Sequence, residues 1–394
     1  MDELAGRYLT LCLRLSRLVP GLVDWYTGPD RLLAAVHSEP RRLPERLAAE
    51  ADRLAADVAA EATLPTDRAD WLTAQLVAVG ALGRSRVGDV LRFPEHVRHV
   101  LGIDPDTFDE ERAEAALFSL DQHLPGPGSI ASRVAAHRRR ASAPGDRTVD
   151  LYAQAVELLR PVAQQAFRLP DDEYVSLRAA GADDPLSDPR PDGRSATKVA
   201  IGSRPATLAE IVHAAARATY PGTHMLRVLR TGLLVEQFGR GECTLELRTS
   251  PGRVAAVGAT AVGLDALLPP HELELLLDRL ADTAGAPLDA RAALAIHDAL
   301  LDLDDVVPAA GRDLHARNGA RARSLLERYH VRPGPDAAAI LDGLTDRDRA
   351  TAAYTVPSGR RLALGFLAKQ DDPVAGFRRL VTEQLTPAAL AAGR

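Results

Sequence analysis

The stretch Ile211-Val-His-Ala-Ala-Ala-Arg-Ala-Thr-Tyr-Pro-Gly-Thr-His224 decides how the chain is read. Its first eight residues are rich in alanine and favour a helix. Pro221 cannot continue the helical ladder, and Gly222 tolerates backbone angles closed to other residues. A second helix is expected from about Thr223 to Arg240. The segment 208–240 therefore reads as one helix broken at Tyr220-Pro221-Gly222, which re-aims side chains of both halves into one cavity. The plainer alternative is a helical corner without chemistry.

Outward from this break the pattern is helical almost throughout. Leu4, Tyr8, Leu11, Leu15 and Leu18 recur at helical spacing until Pro20-Gly21. Leu72, Leu76 and Val79 form a similar stripe after Thr66-Asp67, which reads as a cap. Alanine-rich segments at 43–62, 108–122, 129–141 and 148–167 follow the same rule. Pro270 opens another helix carrying Leu273, Leu276, Leu277 and Leu280. One region departs from the rhythm: Asp171 to Pro205 is rich in proline, glycine and aspartate. It is flanked by short candidate strands, Glu173 to Arg178 and Thr197 to Ser203. The expectation is a mainly α, multi-helix bundle with a small antiparallel β hairpin beside the broken central helix. Its halves, 1–170 and 171–394, are expected to pack as one globule.

Composition excludes several classes. The 394 residues carry a formal net charge of -6, and 46% of them are hydrophobic, too many for a disordered chain. Lys198 and Lys369 are the only lysines; this bias toward arginine fits a GC-rich coding sequence. Scattered charge of net negative sign and only 4% aromatic residues argue against nucleic acid as a partner. Cys12 and Cys243 cannot build a disulfide framework or a four-thiolate zinc site. No apolar run approaches a membrane span, and Met1-Asp2-Glu3 is acidic where a signal peptide is basic, so no membrane partner and a cytoplasmic location are expected.

The segment Arg217-Ala218-Thr219-Tyr220-Pro221-Gly222-Thr223-His224, with His213 before it, resembles the motif of a family of bacterial zinc hydrolases. That family is catalogued as domain-of-unknown-function family eight-eight-five and is carboxypeptidase-like. Its motif is His-Glu-x-x-Pro-Gly-His-His on a helix. Other pieces resemble the family in the same order: Tyr8 through Pro29, Thr249-Ser250-Pro251, Tyr354 with Gly359-Arg360-Arg361, and the closing segment from Phe377 to Pro387. The resemblance implies a zinc-peptidase-like bundle around a central cavity.

The departures carry more chemistry than the matches. Zinc hydrolysis needs neutral imidazoles, carboxylates and a general base. In the family frame this chain has Arg217 for the first histidine, Ala218 for the glutamate, and Thr223 for the first histidine after Pro-Gly. His224 remains, and the downstream glutamate frame falls on Val257. A guanidinium offers only donors and stays charged, so Arg217 cannot ligate a dication. The expectation is therefore a metal-free protein without a cofactor. A relocated site would have to draw on His213, His224, Glu236, Glu242 and Glu246.

Four functional readings follow, the last of them a purely structural interaction protein with a filled cavity. The first is a pseudoenzyme whose old cavity binds an anionic small molecule. Arg217, His213, Arg360 and His315 would hold the ligand, with Arg361 beside them. The second is a metal-free enzyme of small-molecule metabolism, with His224, Tyr220 and Tyr354 as its acid, base and donor groups. The third is a zinc peptidase with relocated ligands. Arg138-Arg139-Arg140 reads as a basic helix end, the cluster Asp302, Asp304 and Asp305 as solvated charge, Cys243 as a core residue, and His297 and His330 as ordinary helix histidines.

Overall fold

The computed structural model describes residues 2–88, 91–105 and 108–394. Helices make up most of it, as the sequence predicts. The first leucine stripe forms the helix Glu3–Ser16, capped by the Asp2 side chain, and Pro20-Gly21 follows as a turn. The alanine-rich segments become Pro44–Ala60, Glu110–His123, Ile130–Ala141 and Gly145–Ala166. Pro270 opens Pro270–Ala284 at a position where its missing N–H costs nothing. At the predicted Thr66-Asp67 cap, the helix Thr66–Ser85 is instead preceded by Pro65, without a side-chain cap.

The small sheet corrects one expectation. Tyr174–Ala180 and Ala196–Gly202 do not form an antiparallel hairpin; they run parallel, Tyr174 opposite Ala196 and Ala180 opposite Gly202. The antiparallel partner of Ala196–Gly202 is the short strand Asp188–Pro191. That strand lies at the sheet's edge, where prolines are tolerated because their missing N–H leaves no inward pairing unmet. The sequence Leu22 to Pro29 contributes a second small pair, Val23–Tyr26 antiparallel to Leu245–Leu247.

The broken helix is real. Leu208–Ala218 starts with a reciprocal cap between Thr207 and Glu210, and Thr223–Arg230 follows the break. The Tyr220–Pro221 peptide is cis. A Cβ on Gly222 would lie 2.2 Å from the Arg217 carbonyl oxygen, so only glycine allows the chain to reverse so tightly. The Thr223 hydroxyl donates to that same carbonyl at 2.9 Å, closing the first helix where the resembled family has a histidine. The second helix continues as a π-helical stretch, Thr231–Gln237, rather than running unchanged to Arg240.

Two buried apolar cores organise the packing, and they divide the chain differently from its two sequence halves. One gathers the helices up to Val134 together with Leu245, Leu247, Val254 and residues from Ile296 to Tyr354. The other gathers 151–294 and the closing helices from Ala363 to Leu390. Three helices contribute to both: Pro251–Ala261, Ala290–Asp302 and Thr355–Leu367. The first and last of these pack backbone to backbone. A Cβ on Gly258 would lie 2.3 Å from the Gly359 oxygen, and one on Gly359 would lie 2.5 Å from the Val254 oxygen. Gly365, on the same helix as Gly359, faces open space. Gly359→Ala is therefore expected to destabilise the protein by about 2–3 kcal/mol, because backbone cannot yield as a side chain would. Gly365→Ala should be neutral or stabilise by up to about 1 kcal/mol through helix propensity. Urea denaturation of both variants measures the contrast.

Candidate functional site

The break sends its two helices toward different surroundings, and the predicted site residues divide accordingly. His224, one residue into the second helix, is fully buried. Its Nε2 lies 2.7 Å from Glu173 Oε2, and its Nδ1 lies 2.9 Å from the Thr197 hydroxyl. The Tyr220 hydroxyl donates to the same Glu173 oxygen. Arg160 donates to the other through Nε at 3.1 Å and Nη2 at 2.7 Å. Arg227 donates to Thr197 Oγ1 at 2.7 Å. Glu173 immediately precedes the strand Tyr174–Ala180 and Thr197 lies in the central strand, so this network joins the sheet to the break.

The protons in the network can be assigned. Desolvation alone would raise the Glu173 carboxyl, but donors from His224, Tyr220 and Arg160 hold it down at about 2. An ionised carboxylate only accepts, so His224 carries its proton on Nε2. Burial holds the His224 pKa below its ordinary value against the pull of Glu173, which leaves the ring neutral. Nδ1 then accepts from Thr197, whose oxygen accepts from Arg227. Burial, and then the bond to Glu173, also drive the Tyr220 phenol far up. Both polar atoms of the His224 ring and the Tyr220 hydroxyl are used, and these two side chains are closed to solvent. His224 and Tyr220 thus sit in a structural junction, not in a shared cavity with Arg217.

The first helix faces a cleft along the seam of the two cores. Ala209, His213 and Arg217 follow one another at four-residue intervals on one face of Leu208–Ala218. The His213 ring stacks on His297 of Ala290–Asp302, with centroids 4.0 Å apart. His213 Nδ1 donates to the Ala209 carbonyl at 2.9 Å, which leaves Nε2 as a lone-pair acceptor. Burial lowers the His213 pKa to about 4 against that backbone bond, and the nearby Arg217 and Arg360 charges lower it further. His297 is held well below its ordinary value by burial and then by His213, Arg332 and Arg217. Both rings are neutral near pH 7.

Water reaches Arg217, yet surrounding protein desolvates its guanidinium enough to lower its pKa, offset by the charge of Asp304. Among the described residues the Arg217 side chain makes no hydrogen bond or ion pair. The neighbouring arginines are committed: Arg360 to Asp302 at 3.0 Å, Arg332 to Asp304 at 2.9 Å, and Arg361 to Asp305 at 2.7 Å. The cluster Asp302, Asp304 and Asp305 is therefore a set of counter-ions rather than freely solvated charge. Glu210 pairs with Arg138 at 3.1 Å.

Two acids that the sequence gave no reason to select, Asp265 and Asp298, belong to the same neighbourhood. Burial raises both, and the charges of Asp265 and Asp302 help push Asp298 to about 6, against the pull of Arg360. Neither spacing nor residue type marked them beforehand, because they lie on separate helices.

The remaining candidates lie elsewhere. His315 stacks on Phe93 at 4.5 Å and bonds the Leu344 carbonyl at 3.0 Å, which fixes it within the first core and away from the cleft. Tyr354 lies on Phe93 as well, at 6.4 Å, and with Arg361 lines a separate cavity of about 510 Å³. The proposed relocated zinc ligands are scattered. Glu242 is held bidentate by Arg68 at 2.7 and 2.9 Å, Glu246 by Trp25 and Arg253, and Glu236 by Arg194 on the surface. Among the described residues no three His, Cys, Asp or Glu side chains converge to hold a metal ion. The donor set around Arg217, Ala218 and Thr223 does not fit the family's zinc either. No described helix is long and apolar enough to cross a membrane.

No family model and no curated protein matches the chain. It is similar to the solved structure of a protein provisionally named a lipoprotein, from Colwellia psychrerythraea, with a TM-score of 0.50 and 12% identity. The likeness covers 89% of this chain and 66% of that one, so this chain spans just under two thirds of that protein's length. At this identity the likeness is one of fold alone.

The Glu173 junction makes a pH-dependent prediction. Its stabilisation is complete above the ordinary carboxyl value of 4.5 and fades as pH falls toward about 2. Glu173→Gln should cost about 3 kcal/mol at pH 7, as expected when one partner leaves a buried charged network. The gap from the parent protein should narrow as pH drops below 4.5. Denaturant unfolding at pH 7 and pH 3 provides the comparison.

Proposed function

We propose that the chain is a degenerate relative of the zinc hydrolases that works without the family's metal and binds an anionic small molecule in the seam cleft. One observation carries this reading: Arg217 is a water-accessible guanidinium amid surrounding protein, with no hydrogen bond or ion pair among the described residues and only the more distant charge of Asp304 acting on it. Its neighbours Arg360 and Arg332 are already neutralised, so an incoming carboxylate or phosphate would meet Arg217 first. A guanidinium can hold such a group through two parallel charge-assisted hydrogen bonds. His213 and His297 offer neutral imidazole surfaces beside it. Cytoplasmic residence belongs to the same proposal and suits the two free thiols, Cys12 and Cys243. The lipoprotein name of the Colwellia chain favours the opposite, an exported setting.

A second reading, a metal-free enzyme, is favoured by Asp298. A carboxyl held near 6 beside a second acid is suited to giving or taking a proton. That role would then pass from His224 and Tyr220, which are sealed in their network, to the cleft.

Acetate and inorganic phosphate serve as probes, with binding followed by thermal shift and by the His213 and His297 NMR signals. The parent protein should bind at least one of them. Arg217→Gln should weaken that binding by about tenfold or more, the loss expected for a charge-assisted pair. Elemental analysis should find zinc well below one per chain. Binding unchanged by Arg217→Gln, or stoichiometric zinc that survives dialysis, would overturn the reading.

A further inference from the structure

Tyr8, Trp25 and Ser250, from two of the sequence pieces that take no part in the cleft, line one further cavity. None of the cleft residues described above belongs to its lining. Its walls come from Thr66–Ser85, Thr223–Arg230, Leu245–Leu247 and the start of Pro251–Ala261. It measures about 40 Å³, which suits one small ion, since a single water needs about 10–15 Å³. Unmet donors converge at the helix start. Pro251 has no N–H, Arg253 donates to the Ser250 hydroxyl, and Val254 donates to the Ser250 carbonyl. The Gly252 N–H is left without an acceptor among the described residues. A Cβ on Gly252 would lie 2.3 Å from Gln75 Nε2 and 3.2 Å from Trp71 Cζ2, so the amide and the indole edge lie against that turn. Gln75 is only 1% exposed, and its amide makes no hydrogen bond among the described residues. A buried amide left unmet is costly, which points to an occupant outside the chain.

Charge gives the occupant its sign. Arg227, Arg230 and Arg253 line the cavity against one acid, Glu246. Glu246 is already taken, by Arg253 and by the Trp25 indole N–H at 2.9 Å. Arg227 and Arg230 have no carboxylate partner among the described residues. Arg227 donates to Thr197 and lies over the Trp25 ring, and Arg230 donates to the carbonyls of Leu380, Val381 and Glu383. Burial lowers the pKa of both guanidiniums, Arg227 to about 10, as expected of positive charge held away from water and from anions. We propose that this cavity binds a free phosphate-class oxyanion, held by Arg230, Gln75 and the first turn of Pro251–Ala261. Guanidinium and amide donors and a helix N-terminus are the groups that such an ion's several oxygens require. Three guanidiniums against one carboxylate leave an excess positive charge that a dianion cancels. The proposal stands apart from the anion site at Arg217, because the two share no residue.

Trp25 and Trp71 are the chain's only tryptophans and both line this cavity, so tryptophan fluorescence reports on it directly. Inorganic phosphate, titrated against chloride at equal ionic strength, should change that fluorescence saturably. Gln75→Met sacrifices no hydrogen bond within the protein, so its thermal stability without phosphate should be unchanged or higher. Its affinity for phosphate should fall by about tenfold, and that of Arg230→Gln by about tenfold or more. Arg217→Gln should leave the fluorescence titration unchanged, whatever it does to binding in the cleft. Phenyl phosphate should bind more weakly than phosphate, because its ring exceeds the cavity. A response to phosphate no larger than that to chloride, or one that survives both Gln75→Met and Arg230→Gln, overturns the proposal. Phenyl phosphate binding as tightly as phosphate overturns the assignment to a free ion. A fluorescence response abolished by Arg217→Gln places the phosphate in the cleft and overturns this second site, while leaving the anion reading of the cleft standing.

Discussion

The close passage of Gly222 over the Arg217 carbonyl is the constraint on which the architecture turns. No side chain fits there, and Pro221 ends the helical ladder, so the chain must reverse direction within three residues. The helix before the break packs on Gly145–Ala166 and reaches the seam through His213; the helix after it meets the small sheet through His224 and Arg227 and the closing helix Pro373–Thr382 through Arg230. The Glu173–His224 pair then locks the second helix to the sheet, and the His213–His297 stack ties the first helix to the Ala290–Asp302 helix. The tight turn keeps a sealed polar junction and a wetted cleft on opposite sides of the same break.

Much of the fold was legible because it rests on local rules. Helical stripes and the Pro270 start depend on spacing within one or two turns, and both formed where expected. The sheet was less so. Two apolar-leaning strands separated by a polar stretch suggest a hairpin, but the intervening Asp188–Pro191 takes the antiparallel edge of Ala196–Gly202 and Tyr174–Ala180 lies parallel on the other. A strand with prolines at two of four positions shows no alternation to announce itself. Pairing partners are a property of tertiary packing, and no window of sequence contains them.

The site followed the same division. Arg217 and His213 were marked by their place in a motif frame, and both lie in the cleft. His224 and Tyr220 share that frame, yet burial and a complete set of hydrogen bonds make them structural. Their fate depended on Glu173, which lies in a proline-rich stretch far from the motif. His297, Asp265, Asp298 and Arg332 come from three further segments, and only packing brings them to the seam. The aspartate cluster at 302–305 was visible as charge, but its partners Arg360, Arg361 and Arg332 could not be paired with it from spacing.

Those pairings explain why one arginine differs from the rest. The cleft lies between two apolar cores, where an unpaired charge costs several kcal/mol unless water or a partner reaches it. Asp302, Asp304 and Asp305 neutralise the arginines that enter from the Thr355–Leu367 helix and from the segment around Arg332. Arg217 enters from a third helix and has no ion pair among the described residues; Asp304 acts on it only at a distance. Its charge also suppresses protonation of the two histidines beside it. An anion on Arg217 would cancel that suppression, so binding should draw protons toward His213 and His297 and strengthen as pH falls toward their pKa range.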